Sequence, residues 1–292
     1  MKEMWVFYAI GSSFFAGITA ILAKCGIRKT DSDVATALRT VVVLAFSWLM
    51  VLITGTGAGI TQISGKTLLF LVLSGVATGA SWLCYFHALQ KGDINKVVPI
   101  DKSSTILTIV LALIFLHEGL SFGKGVSVVL IGVGTMLMIT KKEDKPEEKK
   151  ENSKEWMIYA LLSAVFASLT AILGKVGIEG VDSNLGTAIR TTIVLLMAWM
   201  MVFVTGKYHQ MKKIEKKEMG FIVMSGLATG VSWMCYYRAL QEGPASVIVP
   251  IDKLSILITI AFSWIVFHEK LTKKAAIGLG GIVAGTFLLA IL

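Results

Sequence analysis

The sequence predicts an all-α polytopic membrane protein, with ten transmembrane helices arranged as two inverted five-helix repeats. Three observations carry the prediction. The 292 residues are 55% hydrophobic and 16% charged, with a mean hydropathy of +0.74, whereas a soluble domain carries about 25% charged residues. Ten apolar runs reach the roughly 18 residues that a membrane-crossing helix requires. The chain also repeats itself: 151 added to a residue number between 5 and 140 finds a second copy without a gap. Thr36-Ala37-Leu38-Arg39-Thr40 returns as Thr187-Ala188-Ile189-Arg190-Thr191. Ser81-Trp82-Leu83-Cys84-Tyr85 returns as Ser232-Trp233-Met234-Cys235-Tyr236, and Pro99-Ile100-Asp101-Lys102 as Pro250-Ile251-Asp252-Lys253.

The runs are 5–24, 33–54, 67–90, 95–116 and 122–140 in the first copy, then 156–175, 184–205, 218–241, 246–267 and 273–292 in the second. Helices satisfy their own backbone hydrogen bonds, which lipid cannot do. The runs are apolar on both alternating faces, unlike the strands of an outer-membrane barrel. Five crossings is an odd number, so the second copy lies upside down relative to the first. The chain thus divides into a first repeat at 1–140, a charged linker at 141–155 and a second repeat at 156–292. The linker has no apolar residue to bury, which predicts a mobile stretch or a frayed helix. The first run is about 20 residues long and its counterpart lies mid-chain, so no cleaved signal peptide is expected.

Charge orients the repeats. Of the 28 basic residues, nineteen fall on one side of ten alternating helices and four on the other, with Arg39, Lys102, Arg190, Arg238 and Lys253 inside the spans. Arg28 and Lys29 in the first connection become Glu179 and Gly180 in its repeat. The Lys-poor connection 55–66 becomes 206–217, with five lysines. The basic side is expected to be cytoplasmic, which puts the linker inside and both termini outside. A net charge of +9 distributed in this way sets orientation and does not point to nucleic acid. Cys25, Cys84 and Cys235 form neither a disulfide framework nor a metal spacing, and no cofactor or metal is expected. Gly75 with Gly79, Gly226 with Gly230 and Gly281 with Gly285 have the four-residue spacing that lets helices approach closely, within the bundle or in a dimer.

An ionisable group inside a span normally faces a partner or a water-filled cavity. Arg39 and Arg190 lie about six residues, roughly 9 Å, into the second and seventh spans. Asp101–Lys102 and Asp252–Lys253 lie at similar depth in the fourth and ninth, where Pro99 and Pro250 interrupt the backbone ladder. In the third span Ser74, Thr78, Ser81 and Tyr85 share a face, repeated by Ser225, Thr229, Ser232 and Tyr236 in the eighth. Back-bonding to helical carbonyls or a pore lining accounts for these hydroxyls equally well. Trp82 and Trp233 flank the stripes as interface anchors or as stacking surfaces for a ligand. Lys24, Arg39, Tyr85 and Asp101 lie nearest the basic side, so Lys175, Arg190, Tyr236 and Asp252 lie nearest the other. Two equivalent charge clusters therefore flank the midplane, as gates or paired half-sites. The structural alternative is a helix-pinning ion pair from Asp101 to Arg39 or Lys102. Leu116-His117-Glu118 and Phe267-His268-Glu269 close the fourth and ninth spans, as headgroup-region termini or as a proton relay through His. His87, whose counterpart is Arg238, reads as an interfacial side chain.

With these features the chain resembles the drug/metabolite transporter superfamily in its EamA-type branch. The residues that carry the resemblance are Arg39 and Arg190 at the helix starts, Pro99 and Pro250, Glu118 and Glu269 followed by Leu120 and Leu271, and the Gly-rich last helices. Each copy is also similar to half-length bacterial and archaeal transporters with Thr-Ala-x-Arg-Thr, Ser-Trp-x-Cys-Tyr and Pro-Ile-Asp-Lys, as if two such units were fused. The resemblance implies a central cavity lined by spans 1, 3, 4, 6, 8 and 9. It also implies termini on the cytoplasmic side, against the lysine count. Relatives export amino acids and other small metabolites. Small drug-exporting relatives rely on a Glu in the first helix, which spans 1 and 6 lack.

Inverted repeats mark secondary transporters. The expected function is secondary transport of a small amino-acid-like metabolite, zwitterionic or anionic, by alternating access. A passive channel or facilitator and a multidrug exporter are the alternatives. No Ser-His-Asp order, metal-ligand cluster or nucleotide loop suggests an enzyme. Arg39 and Arg190 are candidates for a carboxylate, and Asp101 and Asp252 for a proton or a substrate amine. Within the spans five bases face these two acids, which favours an anion or zwitterion. The expected partners are that small molecule, the bilayer, and a proton or counter-substrate, acting on a monomer or homodimer.

Overall fold

The structure is a computed structural model, which describes residues 4–26, 30–91, 97, 100–119, 121–138, 155–268 and 271–291. No strand occurs among the described residues. The first repeat holds α1 (Met4–Gly26), α2 (Ser32–Thr54), α3 (Gly65–Lys91), α4 (Ser104–Phe115) and α5 (Phe122–Met138). The second holds α6 (Glu155–Ile178), α7 (Ser183–Val204), α8 (Lys216–Glu242), α9 (Ala245–Lys253), α10 (Ser255–Phe267) and α11 (Lys273–Ile291). Eight stretches are long and apolar enough to cross a membrane, α9 with the start of α10 forming one of them. Phe122–Met138 is a shorter apolar helix, and part of the 95–116 run lies outside the described residues, as do the linker, Pro99, Leu120 and Glu269. Large apolar side chains face outward, Phe7, Leu52, Phe122, Val204 and Ile291 among them, a surface suited to lipid. The chain is a multi-pass membrane protein.

The repeat in sequence is a repeat in local structure. Asp31 and its equivalent Asp182 accept hydrogen bonds from the N–H of Asp33 and of Asn184 at the starts of α2 and α7, satisfying donors that a helix start leaves orphaned. After each helix comes a glycine in the left-handed region, Gly55 at φ 68° and Gly206 at φ 69°. Each then leads into a short 3-10 helix, Thr56–Gln62 and Lys207–Lys213. His117 and His268 both take φ 52°, so the ends of α4 and α10 turn alike.

Prolines were expected to break the fourth and ninth spans. In the ninth the break comes later, and Pro99 of the fourth lies outside the described residues. Pro250 sits within α9, and the helix yields at Leu254, whose N–H bonds Ile251 at 3.0 Å in a tightened turn. Ser103 makes the equivalent turn, to Ile100 at 3.1 Å. A proline removes only its own donor toward the preceding turn, so the helix continues past it. The interruption falls directly after Asp101–Lys102 and Asp252–Lys253.

The halves interleave. α1 packs on α8 and α3 on α6, α2 pairs with α7, and α5 pairs with α11. Without a hydrophobic driving force between helices in lipid, close backbone approach holds such contacts. At Gly75 a Cβ would lie 2.7 Å from Ile193 of α7, and at its equivalent Gly226 2.7 Å from Val42 of α2. Gly285 lies as tightly against α5. The four-residue glycine spacing thus serves packing between halves inside one chain.

At the end where α2 begins, a charged contact joins the halves. Lys207 lies 3.1 Å from Asp31 and also hydrogen-bonds Asp33, which is 2% exposed. Thr30 bonds buried Glu218 nearby, its N–H donating at 3.2 Å. Sequence reasoning counted only two acids inside the spans; Asp33 and Glu218, at span ends, are buried as well. At the other end the corresponding residues are Thr56, Asp182 and Asn184, and no lysine stands among them.

Candidate functional site

Two adjoining cavities lie between the halves. One, about 370 Å³, is lined by Arg39, Ser81, Trp82, Tyr85, Asp101, Lys102 and Lys253, among others. The other, about 260 Å³, is lined by Trp82, Arg190, Ser232, Trp233, Tyr236, Asp252 and Lys253, among others. The twelve residues Arg39, Arg190, Asp101, Asp252, Lys102, Lys253, Trp82, Trp233, Tyr85, Tyr236, Ser81 and Ser232 therefore line one cavity or the other, and Trp82 and Lys253 line both, whereas Ser74, Ser225 and Thr229 of the stripes line neither. Lys102 and Lys253 also border a third, mostly apolar cavity of about 390 Å³ beside α5 and α11.

The aspartates do not pair with the cavity bases. Asp252 accepts a hydrogen bond from Ser12 of α1 at 2.6 Å, and Asp101 accepts one from Ser163 of α6 at 2.8 Å. Ser12 and Ser163 are repeat equivalents, so each aspartate is held by the first helix of the other half. Ser232 donates to the Ser12 carbonyl at 3.0 Å and Ser81 to the Ser163 carbonyl at 3.1 Å. Two matching Ser–Ser–Asp chains result. Among the described residues, neither aspartate makes an ion pair with Arg39, Arg190, Lys102 or Lys253. The ion pair from Asp101 to Arg39 or Lys102, weighed from the sequence, is not formed, because α9 packs on α1 and α4 on α6. The sequence signal for Ser12 and Ser163 was present: a serine recurring at the repeat interval in otherwise apolar helices.

Arg190 is 2% exposed. Its Nε donates to Ser74 at 3.0 Å and its Nη2 to Thr78 at 2.5 Å, both on α3. Its guanidinium carbon lies 4.8 Å from the Tyr237 ring centroid and 5.3 Å from that of Trp233, and both rings stabilise the cation through their π faces. Nη1 is buried without a hydrogen-bond partner among the described residues. Arg39 is half-buried, and among the described residues its Nη2 reaches only Thr36 of its own helix, at 3.5 Å.

The hydroxyl stripes serve both purposes left open by the sequence. Thr78 and Thr229 bond back to Ser74 and Ser225 carbonyls at 3.0 and 2.7 Å. Ser74 donates across to the Thr170 carbonyl at 2.8 Å, and Thr78, Ser81 and Ser232 also line the cavities. Other predicted residues lie elsewhere. Lys175 donates to the carbonyls of Leu240 and Gly243 at 2.5 and 3.1 Å, closing the end of α8; the side chain of Lys24 lies outside the described residues. Glu118 accepts from the N–H groups of Ala245 and Ser246 at 2.7 and 3.0 Å. It caps the start of α9, so this residue of the family pattern orients the helix that carries Asp252. His87 stacks on Tyr159 at 4.1 Å, and Arg238 pairs with Glu242 at 2.7 Å. Among the described residues no three His, Cys, Asp or Glu side chains converge as a metal site would require.

A family model matches the chain twice, over residues 3–140 and 154–291. The chain belongs to the EamA-like transporter family. Its two matches correspond to the two halves that build the cavities. An uncharacterised transporter encoded in the cobO 3′ region of Sinorhizobium sp is 43% identical over 138 residues, which are 98% of that protein and 47% of this chain. An uncharacterised protein of Methanocaldococcus jannaschii is 28% identical over 135 residues, 96% of its length and 46% of this chain. Each such relative thus corresponds to about one repeat, as the resemblance to half-length units implies. A solved crystal structure aligns with 100% of this chain and 99% of its own with a TM-score of 0.77 at 13% identity, a likeness of fold alone.

Proposed function

We propose that this EamA-family transporter moves a small amino-acid-like metabolite, zwitterionic or anionic, across the cell membrane by alternating access. One observation carries the substrate class: the four cavity bases lack ion-pair partners among the described residues, while the two aspartates are satisfied by serines. Unpaired bases in a low-dielectric cavity are costly, and a ligand carboxylate relieves that cost. Lys253 and Arg190 offer the carboxylate site, and Asp252, in the same cavity, offers an acceptor for an amine. Asp101 and its surroundings repeat the arrangement. A single chain carries both half-sites, which supports a monomer as the working unit and leaves a homodimer as an assembly of complete sites.

The test is counterflow in proteoliposomes, with amino acids and small carboxylates chosen by a thermal-shift screen. Saturable exchange is expected, and Arg190→Lys is expected to weaken apparent affinity at least tenfold, because a lysine cannot reach both Ser74 and Thr78 while keeping a donor toward the ligand. Unsaturable flux with single-channel currents overturns the transporter mechanism in favour of a channel. Preference for an organic cation overturns the substrate class.

The positive-inside bias supports a cytoplasmic linker and external termini. A cysteine introduced in 141–155, in a background without Cys25, Cys84 and Cys235, is expected to resist an impermeant maleimide in intact cells. Strong labelling reverses the orientation.

A further inference from the structure

The two halves agree in backbone at the arginines and disagree in side chains. On α3, Gly75 would put a Cβ 3.2 Å from the Arg190 carbonyl, and on α8, Gly226 would put one 3.0 Å from the Arg39 carbonyl. The two helix crossings therefore have the same register. Arg190 reaches across its crossing to Ser74 and Thr78. Arg39 does not reach the equivalent pair, Ser225 and Thr229. Thr229 keeps the bonds that Thr78 also makes, to the preceding serine's carbonyl and to the first helix of the other half, but Ser225 donates to Ile222 in its own helix at 2.9 Å where Ser74 donates across to Thr170. Near-identical sequences thus hold one arginine docked and the other undocked.

We propose that these are two positions of one switch: Arg39 and Arg190 dock in turn on the third helix of the opposite half, and the undocked arginine grips the substrate's carboxylate through two nitrogens where the docked one offers it a single nitrogen. This rests on the alternating-access reading above. A docked guanidinium spends two nitrogens on hydroxyls and keeps one for a ligand. An undocked one offers the planar fork that matches a carboxylate through two parallel bonds. In the state described here Arg39 is the available fork, beside Lys102 in the larger cavity. When the conformations of the halves exchange, Arg39 docks on Ser225 and Thr229 and Arg190 is released into the cavity of Lys253 and Asp252. Ser74, Thr78, Ser225 and Thr229 are positioning residues on this account. The docks are unequal in composition, because the Tyr237 ring lies 4.8 Å from the Arg190 guanidinium carbon whereas the equivalent residue is Phe86, and a two-state element shifts by the difference in its interactions.

Accessibility at equivalent reporter positions tests the exchange without any substrate. Thr36 is half-buried at the larger cavity, and Thr187, its equivalent, is fully buried. Single Thr36→Cys and Thr187→Cys reporters, made in a background without native cysteines, are labelled with a small maleimide in purified protein. Thr78→Val removes a charge-assisted hydrogen bond, so the Thr187-to-Thr36 labelling ratio is expected to rise about tenfold or more. Thr78→Ser is expected to restore the wild-type ratio. Thr229→Val weakens the other dock and is expected to lower the ratio. Opposite shifts uphold the exchange even where the metabolite reading fails. Equal labelling across wild type, Thr78→Val and Thr229→Val, or shifts of the same sign, overturn it even where transport persists.

Discussion

Asp101→Asn and Asp252→Asn are each expected to abolish gradient-driven uptake while leaving the protein folded. The expectation follows from what holds these carboxylates. Each accepts a hydrogen bond from a serine of the opposite half and makes no ion pair with a base among the described residues. An asparagine oxygen accepts the same hydrogen bond at nearly the same place. Its loss of charge therefore strands no cation, and the stability change is expected to stay below about 1 kcal/mol. What disappears is the capacity to gain and lose a proton or to pair with a substrate amine. In proteoliposomes with an imposed pH gradient, uptake by either variant is expected to fall at least tenfold, with melting temperature unchanged. Full gradient-driven uptake by a folded double variant removes both aspartates from the mechanism. A large drop in melting temperature with transport per folded molecule preserved makes them structural pins.

The largest stability effect is expected at the opposite kind of site. Lys207→Met leaves Asp33, 2% exposed, without its cation; the lysine itself is 25% exposed, so the cost is expected to be about 2–3 kcal/mol, below that of a fully buried pair. Adding Asp33→Asn is expected to recover most of that loss, and a double variant no more stable than Lys207→Met alone contradicts the pairing. The pH dependence has a definite sign. Burial lowers the Lys207 ammonium, but the hydrogen bonds it donates to Asp33 and Asp31 outweigh that and hold the group above its usual value. A raised value means the contribution is complete below the ordinary lysine range, near 10.4, and fades as pH climbs through the higher folded value. Between pH 6 and 9 this contact contributes a constant amount, so wild type minus Lys207→Met is expected to be flat across that window in thermal denaturation.

Much of the architecture was legible because lipid imposes it. Long apolar runs announce spans, an odd number of them in an exact repeat fixes inversion, and ionisable residues in such runs mark cavities. The twelve chosen residues do line the two cavities. What stayed hidden was partnership. Proximity in sequence suggested Asp101 with Lys102 or Arg39, but the interleaving sets each broken helix against the first helix of the other half, where Ser12 and Ser163 wait. A serine in an apolar helix carries little signal until its repeat equivalent is noticed. The same blindness covered Glu118, whose capping of α9 depends on Ala245 and Ser246, 127 and 128 residues away. The break after Lys253 was misplaced for a local reason: the proline is conspicuous in sequence, but its missing donor disturbs the turn before it.

The contact of Lys207 with Asp31 and Asp33 has no twin. In an assembly of two identical halves, every substitution would appear at both ends of the molecule, and neither end could change alone. Joining the halves in one chain removes that constraint. Thr56 is uncharged where Lys207 is not, Asn184 stands opposite Asp33, and Phe86 opposite Tyr237. A repeat held in one chain thus has two distinguishable ends, and a substitution at one of them leaves the other as it was.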